Sequence, residues 1–266
     1  MARVRRLAAG RAGHGGTLDP DAAGVLPVAI GQSLALLGRI DWSPKTYAAV
    51  ARFGALTDTL DAAGAIVARS APPWPGRADL ERSAPFLVGA GLQLPPQRSA
   101  IRQHGERAHR RARRGENFFL APRPVVVHSL TVTDADGALF RFVAEVSSGT
   151  YVRALVRDWA QMLGQAASLV ALIRTRAGPF GIEEAVTLEE LQEDGIEQAL
   201  RSWQAVWSGP RLELAAAEVA GVLRGRFPSG LEPENGVLTA LTREGRLYAL
   251  TDGPQRFVRV FPEGLS

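Results

Sequence analysis

Two apolar runs with a turn between them restrict this chain more than any other stretch. Val125–Thr133 and Ala138–Val146 read as strands, and Asp134-Ala135-Asp136-Gly137 between them is a hairpin signal. Ser147-Ser148-Gly149-Thr150 breaks the second strand, and Tyr151 to Leu163 reads as a helix. Its apolar positions Val152, Leu155, Val156, Trp159, Met162 and Leu163 recur at helical spacing. Tyr151 and Arg153 therefore fall in its first turn, beside the strand end. Leu169–Ile173 is a further apolar strand.

Other elements arrange themselves around this block. Ala2 to Ala9 reads as an arginine-rich helix that starts abruptly, a strand is expected near Val25–Ile30, and Lys45–Phe53 partly alternates as a strand does. Thr57 to Gly64 reads as a polar loop leading into a strand at Ala65–Ala68. After the breaker cluster Pro72-Pro73-Trp74-Pro75-Gly76, Asp79 to Val88 reads as a helix with Asp79 near its N-cap. Helices are expected around Leu188–Leu191 and Ile196–Ala205. Ser208-Gly209-Pro210 is the best candidate linker. Beyond it, a short helix at Ala215–Arg224 and strands at Val237–Leu241, Arg246–Leu250 and Phe257–Phe261 suggest a small β-rich module.

Composition removes several function classes. Cysteine is absent, which excludes disulfides, thiolate zinc sites and a cysteine nucleophile. No run reaches the roughly 18 apolar residues of a membrane span, and no secretory signal is visible, so a cytoplasmic protein is expected. The 31 basic residues are arginine with one exception, Lys45. Arginine forks onto phosphate and stacks on bases, which suits nucleic acid. The densest basic run, Ile101 to Gly115, holds Arg102, His104, Arg107, His109, Arg110, Arg111, Arg113 and Arg114 with Glu106 as its only acid. A helix here would show cations on every face. The run is either a solvated basic helix or an arm that tracks phosphates.

The chain has no P-loop, no dinucleotide fingerprint and no histidine pair at metal spacing. His14, His104, His109 and His128 are not arranged as ligands, and Ser147 and Ser148 lack the setting of a serine nucleophile. Neither a cofactor nor a metal is expected. What remains is the loop Arg11-Ala12-Gly13-His14-Gly15-Gly16-Thr17-Leu18-Asp19-Pro20. Pro20 biases Asp19 toward an extended backbone, and the glycine pair permits a tight turn or close approach to a ligand. Alone, this is an ordinary surface turn. Chemistry that needs only a carboxylate, tyrosines and arginines is nucleophilic or general-base work by one aspartate.

Taken together, these blocks resemble a known family. Gly13 to Pro20, followed by Ala23-Gly24-Val25-Leu26-Pro27, is similar to the signature of the bacterial tRNA pseudouridine-55 synthases of the TruB type. Gly54-x-x-Thr57-Asp58-Thr59-x-Asp61-x-x-Gly64 resembles that family's next block. Pro95-Pro96-x-x-Ser99-Ala100, with Gly105 and Ala112-Arg113, resembles its RNA-binding insertion, about residues 95–121. Gly149-Thr150-Tyr151-Val152-Arg153 resembles the block that supplies a tyrosine and an arginine, and Leu172 followed by Arg174 resembles its pocket strand. The blocks span most of residues 11–180 in order.

The resemblance implies an α+β fold: a mixed, largely antiparallel sheet flanked by helices, with a catalytic domain at 1–208 and a PUA-like module at 211–266. It implies isomerisation of uridine to pseudouridine at position 55 of the tRNA T-arm, by a monomer without membrane or nucleotide cofactor. Asp19 would be the nucleophile, and Arg153 would pair with it and hold it ionised. Tyr47 would stack on the flipped base, Tyr151 would sit close to C5, Leu172 would wall the pocket, and His14 would contact RNA. Arg102, Arg107 and Arg113 would bind RNA. Some positions depart from the pattern: Gly15 stands where threonine is common, Arg102 where lysine is, and His109 where tyrosine is. The strand and Lys-Pro-x-Gly-x-Thr/Ser turn that precede the glycine loop in the family are not in this sequence, so the recorded start is expected to lie inside a longer product. Two alternatives stay open: a tRNA-binding or folding protein without catalysis, and a pseudouridine synthase acting on another RNA.

Overall fold

The computed structural model describes residues 1–99, 101–103, 106–107, 114, 116 and 118–266. The chain divides into two compact units. The first comprises Met1–Gly15, Pro27–Asp41 and Val186–Ser266; the second comprises Gly16–Leu26 and Trp42–Ala185.

The second unit is built on a sheet of seven strands among the described residues: β1 (Ala23–Gly24), β2 (Lys45–Phe53), β3 (Gly89–Gln93), β4 (Arg123–Asp136), β5 (Leu139–Val146), β6 (Ala167–Ala177) and β7 (Phe180–Gly181). The order is β7-β6-β2-β5-β4-β3 with antiparallel pairing throughout, and β1 joins β6 in parallel. The β4–β5 hairpin anticipated from the sequence forms, with β4 running further at both ends. On central strand β2 the period of two sends Lys45, Tyr47, Ala49, Ala51 and Phe53 to one buried face. Helix α2 (Val152–Met162) buries Val152, Leu155, Val156 and Trp159 in the same core. Phe140 lies 4.6 Å from Phe53 and meets Trp159 edge-on at 5.6 Å. Such aromatic pairs add about 0.5–1.5 kcal/mol each beyond area burial. The Trp159 Nε1 donates to Ser83 Oγ at 2.8 Å, which ties α2 to helix α1 (Arg77–Ser83).

Several elements differ from expectation for identifiable reasons. The helix expected over Asp79–Val88 ends at Ser83 and continues as a 3-10 turn, Ala84–Leu87. Pro85 has no N–H to offer the carbonyl four residues back. Asp79 is not the N-cap: that place is taken by Gly76, whose N–H donates to Asp79 Oδ2 at 2.9 Å. The strand near Val25–Ile30 contracts to Val28–Ile30, after Pro27. The helix over Ile196–Ala205 is instead two 3-10 turns, Glu197–Ala199 and Trp203–Ala205, the second opened by Ser202 accepting from Gln204 N. Within the basic run, Arg102–Gln103 and Glu106–Arg107 form an antiparallel pair rather than a helix. His104, His109, Arg110, Arg111 and Arg113 lie outside the described residues.

The first unit contains the pair Ala12–His14 and Val28–Ile30. It also holds a sheet ordered Arg211–Glu213, Thr239–Arg243, Arg246–Thr251, Phe257–Leu265, whose first pair is parallel and the rest antiparallel. Helix Ala216–Leu223 packs beside it. Leu214, Val222, Leu241 and Ala249 fill one face; Leu36, Trp203, Trp207, Ala240, Leu247, Leu250 and Phe261 fill the other core.

Candidate active site

The second unit gathers most of the chemically competent side chains at one end of its sheet. Asp19 stands on a turn closed by Ala22 N donating to Asp19 O at 3.0 Å. The segment reaches the sheet as β1, where Gly24 sits opposite Arg174. Gly24 has φ +104, and a Cβ there would lie 2.1 Å from the Arg174 carbonyl oxygen. Only glycine permits that approach.

Tyr151 is the N-cap of α2, so Arg153 lies in the first turn as the helical spacing implied. Its guanidinium meets Asp19 as a fork: Nε donates to Oδ2 at 2.8 Å and Nη2 to Oδ1 at 2.9 Å. Nη1 donates to Thr59 O at 2.8 Å and Nη2 also to Arg98 O at 3.2 Å. Asp61 Oδ2 lies 3.5 Å from Nη1. The arginine side chain is 5 % exposed while that of Asp19 is 33 % exposed. A rigid, buried cation thus aims a partly open carboxylate. Paired planar groups of this kind fix direction as well as charge. Asp61 is itself held by Thr59 Oγ1 at 2.6 Å and Ala63 N at 3.1 Å.

Two phenols feel the Asp19 charge. Burial pushes Tyr47 above its ordinary value of 10.0, opposed by the nearby Arg174 guanidinium and assisted by Asp19. Burial also raises Tyr151, opposed by the Ser99 hydroxyl and by Arg153, with Asp19 again raising it. Both are neutral phenols near pH 7. The Tyr151 backbone is clamped by one side chain: its N–H donates to Gln93 Oε1 at 2.8 Å and its carbonyl accepts from Gln93 Nε2 at 3.2 Å. Leu172 lies on β6 opposite Ala49, on the buried face shared with Tyr47. Lys45, 9 % exposed, brings its Nζ to 3.1 Å from where a Gly16 Cβ would stand.

Of the residues singled out from sequence, Asp19, Tyr47, Tyr151, Arg153 and Leu172 all belong to this unit. His14 belongs to the first unit, on the strand paired with Val28–Ile30, and its Nδ1 is buried without a hydrogen-bond partner among the described residues. Arg102 and Arg107 pair through their backbones, and Arg113 lies outside the described residues. Sequence reading placed Ser99 in the RNA-binding insertion and Arg174 in the pocket strand without a role at Asp19 or Tyr151, and passed over Gln93. Asp61 stood in the Gly54–Gly64 block without a stated role; an isolated glutamine such as Gln93 carries no such signal. Among the described residues, no three His, Asp or Glu side chains cluster as metal ligands, and no helix is long and apolar enough to cross a membrane.

Comparison with known proteins defines the class. Residues 4–152 match the TruB family pseudouridylate synthase N-terminal domain, and residues 153–203 match the tRNA pseudouridylate synthase B C-terminal domain. The chain belongs to the TruB family of pseudouridylate synthases. Within it the chain falls among the tRNA pseudouridine synthases, which are isomerases. It is 41 % identical to the tRNA pseudouridine synthase B of Thermobifida fusca, over 95 % of this chain and 88 % of that one. It is 39 % identical to the enzyme of the same name from Novosphingobium aromaticivorans, over 94 % and 86 %. A solved Cbf5-Nop10-Gar1 complex contains a chain of similar fold, with TM-score 0.67 and 25 % identity, covering 94 % of this chain and 72 % of that one.

Proposed function

We propose that this enzyme converts uridine to pseudouridine at position 55 in the T-arm of tRNA, with Asp19 as nucleophile on a flipped-out base. The observation that carries the reading is the fork between buried Arg153 and Asp19, which leaves the carboxylate partly open, with two neutral phenols in reach of its charge. Flipping costs a few kcal/mol of unstacking and unpairing, which stacking on Tyr47 and basic contacts from Arg102, Arg107 and Arg113 offset. His14 contacts the RNA, and Leu172 walls the uridine pocket. Asp19 attacks, the glycosidic N1–C1′ bond breaks, the uracil turns and C5 bonds to C1′. The proton leaving C5 is matched by one gained at N1, so no cofactor is consumed. Tyr151 meets C5 as a phenol and accepts that proton only as it passes its own hydroxyl proton on. We read 1–208 as the catalytic domain, with an RNA-binding insertion at about 95–121. Residues 211–266 are read as a PUA-like module, and the enzyme as a cytoplasmic monomer.

The test is incubation with unmodified tRNA followed by mapping of pseudouridine. Modification at position 55, lost in Asp19→Asn while tRNA binding is kept, is the expected result. Modification only at another site or in another RNA refutes the substrate. Turnover by the Asp19→Asn variant refutes the nucleophile.

A further inference from the structure

One side chain holds the Asp19 segment at both ends. Arg174 on β6 is 0 % exposed. Its Nε donates to Val25 O at 2.8 Å, beyond Asp19, and its Nη2 donates to Gly16 O at 3.1 Å, before it. Its carbonyl accepts from Val25 N at 2.8 Å. Arg174 also stands opposite Tyr47 in the β6–β2 register, and its charge opposes the burial that raises the Tyr47 phenol. No carboxylate lies within ion-pair distance of it among the described residues, and Nη1 is buried without a hydrogen-bond partner there. A buried cation without a counter-ion is costly. Such a group is a poor choice for stability alone, and its two fixed donors instead span the loop that carries the carboxylate.

We propose that Arg174 is a positioning residue for the isomerisation: it sets the Asp19 segment and the Tyr47 ring from a single point, so that nucleophile and stacked base hold a fixed separation. The inference rests on the reading of Asp19 as nucleophile. Arg153 aims the carboxylate, whereas Arg174 fixes the backbone beneath it. Lysine keeps the charge but, as a point donor on a flexible stem, cannot bridge Gly16 O and Val25 O as a planar fork does.

The experiment compares Arg174→Lys, Arg174→Gln and Asp19→Asn by single-turnover pseudouridine formation, by tRNA affinity and by thermal unfolding. Both Arg174 variants are expected to react about 100-fold more slowly, the scale of a misplacement near 1 Å, with tRNA affinity within about threefold of the parent, a split that a general folding defect does not produce. The glutamine variant removes the uncompensated charge and guards against a lysine variant that fails to fold. Three results overturn the proposal: a parental rate in both variants, a lysine variant that is active while the glutamine variant is not (charge rather than fork), or affinity falling in step with rate. An inactive Asp19→Asn beside parental Arg174 variants defeats this inference alone; an active Asp19→Asn defeats the reading beneath it.

Discussion

The sheet of the second unit and the four-stranded sheet of the first bury different chemistry. Beneath Arg246–Thr251 and its neighbours the core is Leu214, Val222, Leu241, Leu247, Leu250 and Phe261, and the buried polar residues of that sheet are the threonines Thr239, Thr242 and Thr251. In the second unit Lys45, Arg153 and Arg174 are all buried, as are Thr57, Thr59 and Ser168. Desolvated charge is expensive unless it is met by hydrogen bonds or opposite charge. One sheet therefore buries only apolar groups and hydroxyls, and the other gives up stability at one end to hold a carboxylate in a set direction.

The largest effect is expected from Asp19→Asn, which should lower single-turnover pseudouridine formation by about 10⁴-fold or more, as loss of a nucleophile does, while a filter-binding assay finds tRNA affinity largely kept. Equal losses of both would sink the reading of Asp19 as nucleophile. Next, Arg153→Met strands Asp19 and Asp61 without their shared cation; urea unfolding should show a loss of about 3–5 kcal/mol, together with a collapse in rate. In the apolar sheet, Leu247→Ala should cost about 3 kcal/mol by the same measurement, yet leave the rate per folded molecule unchanged at low temperature. A matching drop in that rate would show the two sheets to be functionally inseparable.

Smaller still is an alkaline effect. Tyr47 and Tyr151 keep their protons in the folded state above pH 10.0, where the unfolded chain loses them. Their contribution is complete below pH 10 and declines as pH rises toward the folded values. Urea midpoints at pH 9 and pH 11 should differ less in Tyr47→Phe than in the parent. Last, Arg77→Ala removes an exposed pair with Glu81 at 2.7 Å and should leave the unfolding midpoint where it is, as surface pairs usually do.

How much of this could be read from the residues depended on whether a signal was local. Lys45–Phe53 alternates and lies between breakers, and the strand forms with those bounds. The helix after Thr150 begins where its apolar spacing put it, so Arg153 was placed in the right turn. Boundaries failed where one proline or one cap decided them, as at Pro85 and Gly76. The partners of Arg153 at Thr59, Asp61 and Arg98 come from loops far apart in sequence, and no periodicity connects them. The two-sided hold of Arg174 depends on the parallel placement of β1 against β6, which a two-residue strand does not announce.

The burial of Lys45 has a practical side. It is the sole lysine of a chain whose other 30 basic residues are arginine, and it is 9 % exposed. Reagents that seek lysine amines will find no open lysine on the described surface. Amine-directed crosslinking to RNA or to a partner will therefore return few products whatever the affinity, and its silence says nothing about binding. Chemistry directed at carboxylates or guanidinium groups, or photochemical capture through the nucleic acid, is the suitable way to map what this protein touches.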